Sequence, residues 1–365
     1  MHGSSRVLII ALDAAEPSLI ERWINAGILP NLGRLRALGA YGRLASSAKW
    51  FAGSPWPTFY TASTPATHGI YHNVQWRADQ MKTVMVGPDW LPITPFWRTL
   101  GSTDLRVIAI DLPMVYAPEP FSGIEIYGLV NRDLLGYKRA SSSFPVELLQ
   151  EIRNEFGITD NLTSNKRGIQ RLSKLLQLRD ELIHATHKIA CLAEKYIKND
   201  KWDLFLVNFM ATHHGGHKLW DHSNCWDGAN SSELSNALRD VYAACDHAVG
   251  QLTQAVGKDA TILIFSLHGM GPNADCAHFL PEMVKRILSK ETEYAKNKIG
   301  HQYTNPVQKL LKHIPVEVRV QASTSKAVLP LMKTYGLLHK KIHLRLKMLL
   351  VPSFSQQLIC KATSE

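Results

Sequence analysis

The sequence lacks any run of 18 or more apolar residues, and its five cysteines contain no Cys-x-x-Cys pair. The first absence argues against a membrane-spanning helix, and the second argues against a disulfide framework or a thiolate zinc site. The apolar stretch that ends at Asp13 is also too short, and too soon followed by charge, for a secretory signal peptide. We therefore expect a cytoplasmic protein whose cysteines are reduced thiols.

The 365-residue chain is 45% hydrophobic and 20% charged, a composition typical of a globular protein that can bury a core without disulfides. Its net charge of +10 is uneven, because residues 281–365 hold 15 of the 41 Lys and Arg residues but 5 of the 31 Asp and Glu residues. We predict a main domain over residues 1–280 and a basic, helix-rich C-terminal cap or tail over residues 281–365. That segment can contact an anionic surface, although a solvated helical face is the commoner meaning of such a charge run. The chain carries no strong nucleic-acid signal.

Four apolar, β-branched runs, each followed by a stretch with helical spacing, predict buried parallel strands. They are Arg6–Leu12, Leu105–Ile110, Asp203–Phe209 and Thr261–Ser266. Leucines and isoleucines recur at threes and fours over Lys166–Lys198, which predicts a long amphipathic helix. Residues 112–165 contain several Pro, Gly and Ser residues and indicate an irregular insertion with one short helix near Val146–Phe156. The alternation predicts an α/β fold with a doubly wound, mostly parallel central sheet and helices on both faces.

Acidic and histidine side chains follow the predicted strands at the points where the strands end. Asp13 closes the first strand, Asp111 closes the second, His213 and His217 follow the third, and His268 follows the fourth. Because the carboxyl ends of parallel strands meet at one edge of a sheet, carboxylates and imidazoles delivered there are typical of a metal site. On a helical turn, His213 and His217 share a face and can bind one ion. Taken singly, Asp13 can be a helix cap, and we interpret Asp111 as a turn residue.

A hydroxyl group suited to nucleophilic attack lies in the segment Gly53-Ser54-Pro55-Trp56-Pro57-Thr58. The prolines favour the start of a helix, and the positive end of a helix dipole stabilises an alkoxide or an incoming phosphate. A serine bound to a divalent cation loses its proton more readily, so no histidine base is needed. Ser54 is therefore the candidate nucleophile, and the alternative is that Ser54 only caps the helix.

These residues resemble the alkaline-phosphatase superfamily and, within it, the type I phosphodiesterase/nucleotide pyrophosphatase branch. The resemblance begins with the strand Val7–Asp13 and continues with Leu29-Pro30-Asn31-Leu32-Gly33-Arg34-Leu35, which is similar to the PNLxRL helix of that branch. Pro65-Ala66-Thr67-His68-Gly69-Ile70 is similar to its P-x-x-HGI block, and His213–His217 and His268-Gly269-Met270 complete the series. The blocks follow the order of the family over residues 6–273 and imply an alkaline-phosphatase-like fold.

The resemblance implies a centre with two divalent metal ions, for which zinc is the expected metal. Asp13 and His268 would bind one ion, and His213 and His217 would bind the other. Relatives usually carry Asp at the position of Leu267 and also at the position of His213. Histidine still binds zinc, whereas an apolar side chain cannot, so one metal position loses a ligand. The further histidine that relatives supply from the C-terminal region is not identifiable among His278, His301, His313, His339 and His343.

The nucleophile of relatives falls within one position of Ser54, which would also bind metal, and Thr58 is the alternative hydroxyl. Asn73, five residues after His68, matches an asparagine that donates a hydrogen bond to the phosphate in relatives, and a turn residue is an equal alternative. A sulfatase is disfavoured, because the formylglycine motif of that sister family resembles C/S-x-P-x-R. This chain has Trp56 where the motif has Pro and Thr58 where it has Arg.

The activity implied by the resemblance is metal-dependent hydrolysis of a small-molecule phosphate ester through a seryl nucleophile. Phosphodiesters, nucleotide pyrophosphates and phosphomonoesters all remain open as substrates. The alternative is a catalytically impaired or silent binding protein on the same scaffold, and Leu267 motivates it because an apolar residue cannot hold a cation.

Overall fold

The computed structural model describes residues 6–86, 93–113, 120–130, 141–157, 170–220, 232–272, 280 and 283–288. The strands in this part of the chain are β1 (Arg6–Leu12), β2 (Val74–Arg77), β3 (Lys82–Met85), β4 (Val107–Ile110), β5 (Gly123–Tyr127), β6 (Ser142–Phe144), β7 (Leu204–Phe209) and β8 (Ala260–Phe265). The helices are α1 (Pro17–Asn25), α2 (Pro30–Leu38), α3 (Pro55–Thr61), α4 (Pro65–His68), α5 (Phe96–Gly101), α6 (Leu148–Phe156), α7 (Leu172–Asn199), α8 (Ala211–Leu219) and α9 (Ser232–Val256). The chain divides into two compact units, and the larger one, Met1–Lys166 with Gln170–Asn273, contains all of these elements.

A six-stranded sheet forms the centre of the larger unit, with strands in the order β6-β5-β4-β7-β1-β8. Every neighbouring pair is parallel except β5 with β6. β2 and β3 form a separate antiparallel hairpin. The predicted mostly parallel sheet is confirmed, and the carboxyl ends of β1, β4, β7 and β8 lie at one edge of it.

Helices cover both faces of the sheet, because successive residues of each strand enter two different cores. In β1, Leu8 and Ile10 pack with residues of α1, α7 and α9, whereas Ile9 and Ala11 pack with aromatic residues of α3 and α5. A strand that is buried on both faces requires a continuous apolar sequence, which is the signal that the sequence carries. The doubly wound arrangement expected from the sequence is confirmed.

The four strands predicted from the sequence are β1, β4, β7 and β8, and their ends fall within two residues of the expected positions. The long amphipathic helix is α7, which begins at Leu172 rather than Lys166. The short helix expected near Val146–Phe156 is α6. Apolar periodicity therefore located the elements that contribute most to the core.

The prediction of an irregular insertion over residues 112–165 was wrong at Gly123–Tyr127 and Ser142–Phe144, which are β5 and β6 of the central sheet. β5 is hard to recognise because it carries a fully buried acid, Glu125. Trp97 Nε1 donates to Oε1 of Glu125 at 2.9 Å, and the guanidinium of Arg98 lies 2.9 Å from Oε2. A buried charge that is paired and hydrogen-bonded is tolerated in a core strand, so the strand does not need to be apolar throughout.

The segment that resembles the PNLxRL helix is α2, and a buried aspartate of α9 holds its first turn. Asp246 accepts hydrogen bonds from the backbone N–H groups of Asn31 and Leu32, at 3.1 and 2.7 Å, and from the side-chain amide of Asn31 at 3.0 Å. The first N–H groups of a helix have no partner within the helix, and Pro30 has no N–H to satisfy. The motif therefore has a structural role, which is to join α2 to α9.

The predicted boundary at residue 280 and the basic C-terminal segment 281–365 lie outside the described residues, apart from 280 and 283–288, and stay predictions. Among the described helices, none combines the length and the apolar character that a membrane crossing requires.

Candidate metal centre

Asp13, the first residue after β1, lies at the centre of the polar side chains at the sheet edge. Its side chain is 2% exposed, with Oδ2 2.7 Å from Nδ1 of His213 and Oδ1 3.8 Å from Nε2 of His268. Trp56 Nε1 donates to Oδ1 at 2.9 Å. Burial alone would raise the pKa of Asp13, but the charge and hydrogen bond of His213, with smaller contributions from His268 and Trp56, hold the pKa below its usual value. Asp13 is therefore a carboxylate at neutral pH.

His213 and His217 lie one turn apart on α8, which follows β7. The expected shared face is confirmed, since their ring centroids are 4.9 Å apart and their Nε2 atoms are 3.1 Å apart. Because a carboxylate only accepts, Nδ1 of His213 carries the proton that is donated to Asp13, and Nε2 is the nitrogen that faces His217. Desolvation of the imidazole and the nearby His213 lower the pKa of His217 to about 4, so the His217 ring is neutral at physiological pH. Two imidazoles whose nitrogens face each other are suited to binding a cation.

His268 comes from the loop after β8, and its ring centroid lies 5.9 Å from that of His213. The loop approaches α8 at Gly216, where a β-carbon would lie 2.6 Å from the sulfur of Met270. Leu267 is partly buried and packs against the core that contains Trp56, so the position at which relatives carry an acid is filled here by an apolar side chain that faces the core. Gly216, between His213 and His217, thus lets the His268 loop come close to α8.

Asp13, His213 and His268 form a candidate metal site, because they offer ligand atoms that all lie within 4.8 Å of one another. His217 adjoins this set through His213. One carboxylate and three imidazoles match the oxygen and nitrogen ligands, and the coordination number of four, that zinc prefers. The donor set therefore fits a divalent ion such as zinc. The expected division into two pairs, Asp13 with His268 and His213 with His217, stays a prediction, because the four side chains form one continuous cluster.

Ser54 occupies the N-cap position of α3, as the alternative interpretation expected, but its side chain makes no capping hydrogen bond. The fully buried hydroxyl donates to the backbone carbonyl of Phe51 at 2.8 Å and shares a hydrogen bond of 2.6 Å with the hydroxyl of Ser47. Within the described ranges, no hydrogen bond joins Ser54 to Asp13. Trp56, two residues later, does make that connection, so the segment lies beside the candidate metal site.

Thr58, the alternative nucleophile, has its hydroxyl oxygen 3.0 Å from Nε2 of His68. Nδ1 of His68 accepts a hydrogen bond from the backbone N–H of Ile70 at 3.1 Å, so the proton of the neutral ring is on Nε2 and is donated to Thr58. Burial lowers the pKa of His68 and so favours this neutral form. His68 therefore cannot take a proton from Thr58, and the P-x-x-HGI block ties α4 to α3.

Asn73 belongs to a segment that lies against the start of the Ser54 segment. A β-carbon at Gly53 would lie 2.7 to 2.9 Å from backbone atoms of His72 and Asn73, so only glycine fits there. The backbone N–H of Gly53 also donates to the carbonyl of Tyr71 at 3.2 Å. This packing places Asn73 near Ser54, and the phosphate-binding role of Asn73 stays a prediction.

Asp111, at the end of β4, has the surroundings of a turn residue, as the sequence indicated. Its φ of 54° lies in the left-handed region that Asp tolerates, and its carboxylate accepts hydrogen bonds from the N–H groups of Leu129 at 2.8 Å and Val130 at 3.2 Å. Burial raises the pKa of Asp111 to about 6, although these hydrogen bonds act in the opposite direction. Asp111 thus holds the loop after β5 and is not one of the clustered metal-site residues.

Asp111→Asn should remove a pH dependence of stability. The pKa of Asp111 is higher in the folded chain than the value of 3.8 expected in the unfolded chain, so the protonated form favours folding. This contribution is complete below about pH 4 and is lost as the pH rises through about 6, and it amounts to roughly 3 kcal/mol. Urea unfolding of both proteins at several pH values measures it, and equal slopes for the wild type and the variant would contradict the prediction.

An open cleft of about 510 Å³ adjoins the candidate metal site through His268. Its lining includes Glu16, Lys49, Trp220 and Met270. A cleft with one cation, one carboxylate and one indole suits a small polar ligand that also has an apolar or aromatic part.

The sequence profile of the family described as type I phosphodiesterase/nucleotide pyrophosphatase matches residues 7–340. The chain belongs to this family. The match spans the strands and helices that carry Asp13, His213 and His268, and it confirms the resemblance seen in the sequence. No curated protein matches the chain.

Two solved structures that resemble this member of the type I phosphodiesterase/nucleotide pyrophosphatase family are of phosphonoacetate hydrolase from Sinorhizobium meliloti 1021. The complex with phosphonoacetate is 18% identical, with a TM-score of 0.48, over 78% of this chain and 62% of that chain. The complex with phosphonoformate is 18% identical, with a TM-score of 0.47, over 75% of this chain and 59% of that chain. The present chain thus spans less than two thirds of the length of that hydrolase.

Two residues of this family member support Asp13 without having been singled out in the sequence. Trp56 holds one carboxylate oxygen of Asp13, and the hydroxyl of Thr212 donates to its backbone carbonyl at 2.6 Å. Trp56 stands within the Ser54 motif and Thr212 directly precedes His213. This closeness to predicted site residues was the only sign in the sequence that the two belong to the site. Their contacts to Asp13 depend on the tertiary structure alone.

Proposed function

We propose that this chain hydrolyses small phosphate esters with a divalent metal ion held by Asp13, His213, His217 and His268. The observation that carries the proposal is the convergence of one buried carboxylate and three imidazoles at the carboxyl edge of a parallel sheet. Family membership supports phosphate esters as the substrate class, with phosphodiesters, nucleotide pyrophosphates and phosphomonoesters all included. When bound, a divalent ion supplies positive charge that stabilises the negative charge developing on the phosphate.

The side chains of the centre have separate roles in this proposal. Asp13 accepts the Nδ1 proton of His213 and so fixes the tautomer that leaves Nε2 free to bind an ion. Trp56 keeps the carboxylate in place from the other side. The Ser54 oxygen attacks the phosphorus as the hydroxyl gives up its proton, the P–O bond to the leaving group breaks, and the leaving group departs with a proton. Water then attacks the resulting phosphoserine, which releases phosphate and restores the serine hydroxyl, while Asn73 donates a hydrogen bond to the phosphate. The Ser54 hydroxyl must leave its hydrogen bond with Phe51 before it attacks.

A silent binding protein on the same scaffold is the second candidate function, and two observations favour it. Leu267, at the position where relatives carry a metal-binding acid, is apolar and packs against the core. The hydroxyl of Ser54 is fully buried and hydrogen-bonded to Phe51 and Ser47. Such a protein would bind a phosphate ester in the cleft and release it unchanged.

We place this activity in the cytoplasm. Cys191 and Cys245, the cysteines within the described ranges, are free thiols, which a reducing compartment maintains. The basic segment 281–365 would contact an anionic surface there, as the sequence suggested.

Removal and return of metal tests the proposed function. We expect the purified chain to bind zinc, to hydrolyse p-nitrophenyl phosphate esters, to lose this turnover with a chelator and to recover it when zinc is added. Mass-spectrometric metal analysis together with initial rates provides the measurement. Less than one equivalent of metal with no turnover would favour the silent binding protein, and turnover that survives complete removal of metal would contradict a metal mechanism.

A further inference from the structure

Five large side chains form an exposed apolar surface beside the candidate cleft, on the turn after Ser47–Lys49 and on the β2–β3 hairpin. They are Trp50, Phe51, Tyr71, Trp76 and Met85, exposed by 74%, 42%, 39%, 45% and 38%. We refer to them as the hairpin patch. Single exposed apolar residues are normal, but adjoining aromatic residues that face solvent mark an interaction site.

Direct contacts make the hairpin patch one continuous surface. The rings of Phe51 and Tyr71 are in edge contact, with centroids 6.4 Å apart, and Trp50 is the neighbour of Phe51 in the chain. The Tyr71 hydroxyl accepts a hydrogen bond from the backbone N–H of Trp76 at 3.3 Å. Val74 pairs with Met85 across the hairpin and Trp76 pairs with Thr83, so Trp76 and Met85 are diagonal neighbours on one face.

The opposite face of the hairpin is attached to the rest of the unit. Gln75, which alternates with Trp76 along β2, is buried. Its side chain accepts a hydrogen bond from the N–H of Tyr71 at 2.7 Å and donates to the carbonyl of Gly69 at 3.1 Å. The segment before the hairpin is in turn joined to the Ser54 segment, because the N–H of Gly53 donates to the carbonyl of Tyr71, so the Gln75 side faces inward and the patch side faces solvent.

Two lysines, Lys49 and Lys82, adjoin the hairpin patch, and the only acidic residue of the hairpin, Asp79, is paired with Arg77. The ammonium group of Lys49 lies 5.0 Å from the centroid of the Trp50 ring, and Lys82 stands at the hairpin end. Neither lysine forms an ion pair within the described part of the chain. A surface with Trp, Tyr and Met side chains and lysine ammonium groups is complementary to anionic lipid headgroups above an acyl layer.

We propose that the hairpin patch docks the chain on an anionic lipid surface. Indole and phenol rings favour the boundary between headgroups and acyl chains, and each lysine near an anionic surface adds to the attraction. Lys49 belongs both to the patch surroundings and to the cleft lining, so the cleft opens next to the docked surface. The docking does not depend on the proposed hydrolysis, and it uses a different surface from the basic segment 281–365.

Vesicle sedimentation of the full chain tests the proposal. We expect the wild type to pellet with vesicles of phosphatidylcholine and phosphatidylserine, and the variant Trp50→Ala/Trp76→Ala to bind them about 10-fold more weakly or worse, because two exposed indoles no longer insert. The matched control is Val146→Ala/Leu263→Ala, which removes apolar groups of similar exposure, 72% and 47%, from other elements. This control should bind vesicles as the wild type does.

A charge variant separates the electrostatic contribution to docking from the contribution of the apolar side chains. Lys49→Gln/Lys82→Gln should lower the additional binding that phosphatidylserine produces by roughly 10-fold, and should leave binding to phosphatidylcholine alone unchanged. Circular dichroism checks that all variants are folded.

The proposal is overturned by a wild type that does not pellet. It is also overturned by a Trp50→Ala/Trp76→Ala variant that pellets as well as the wild type, which would assign vesicle binding to another segment. Two other outcomes would also overturn it. If the chain does not bind vesicles but forms concentration-dependent dimers that need both tryptophans, the partner of the patch is a second copy of the chain. If it instead forms oligonucleotide complexes that need both tryptophans, the partner is a nucleic acid.

Discussion

Asp13→Asn should lower the affinity of the chain for zinc by on the order of 100-fold or more, with a parallel loss of phosphate ester turnover. The variant removes the buried negative charge of the cluster, whereas an amide oxygen can still accept the hydrogen bond of Trp56. An amide nitrogen facing Nδ1 of His213 would donate to it, so the proton of the neutral ring would move to Nε2. That nitrogen faces His217 and would then lack the lone pair that binds an ion. Zinc titration by calorimetry and initial rates measure the two losses.

Two variants serve as controls for Asp13→Asn. Asp111→Asn makes the same chemical change at another buried strand end and should bind zinc as the wild type does, since Asp111 contacts Leu129 and Val130 instead. Ser54→Ala should lose turnover and keep the zinc affinity that Asp13 and the three histidines provide, because the Ser54 hydroxyl is hydrogen-bonded to Phe51 and Ser47; a fall in zinc affinity would instead support the metal contact that the sequence predicts for Ser54. Zinc affinity of Asp13→Asn equal to that of the wild type would remove Asp13 from the metal site. Turnover of Ser54→Ala equal to that of the wild type would assign the attack to another group.

Glu125→Ala should lower the free energy of unfolding by about 3–5 kcal/mol. The carboxylate is buried in β5, where it pairs with the guanidinium of Arg98, which is also buried, and accepts a hydrogen bond from the indole N–H of Trp97. Removing it leaves a positive charge in the core without its carboxylate and an indole N–H without this acceptor, and both carry a desolvation cost. Urea unfolding followed by far-ultraviolet circular dichroism gives the free energy.

The double variant Arg98→Met/Glu125→Leu shows whether Glu125→Ala loses stability because a buried charge is left without its partner or because the side chain is smaller. Replacing both charges by apolar groups of similar size removes the uncompensated charge, so the double variant should recover most of the stability lost in Glu125→Ala. A double variant as unstable as Glu125→Ala would show that packing around β5, rather than the buried charge, determines the loss. A Glu125→Ala loss below about 1 kcal/mol would mean that solvent reaches the guanidinium.

Much of the metal centre could be predicted, because in a parallel sheet a residue that follows the carboxyl end of a strand has a known location at one edge of the sheet. Apolar runs located β1, β7 and β8, and their parallel pairing brings whatever follows each carboxyl end to one edge. Asp13, His213 and His268 follow these ends and lie within reach of one ion. The spacing of four between His213 and His217 specified a shared helical face, because helical geometry fixes that neighbour relation locally.

Other features could not be predicted, because they depend on contacts between distant parts of the chain. β5 contains a charged residue whose partner, Arg98, is on α5, so its sequence does not look like a core strand. The buried hydrogen bonds of Ser54 to Phe51 and Ser47, and the tautomer of His68 that makes it a donor to Thr58, follow from side-chain packing. Spacing in the sequence carries no information about either.

The sequence by itself determined the four parallel strands β1, β4, β7 and β8, and it located Asp13, His213, His217 and His268 after the ends of three of them, since periodicity and strand ends are local properties with a fixed geometric consequence. The tertiary structure decided that β5 and β6 extend the sheet, that Trp56 and Thr212 hold Asp13, that Leu267 packs against the core, and that the tryptophans of the hairpin patch face solvent. An apolar or aromatic residue is equally compatible with a core and with a surface that binds a partner. Only the packing of the folded chain distinguishes the two, because burial is a property of the residues that surround a side chain and not of the side chain itself.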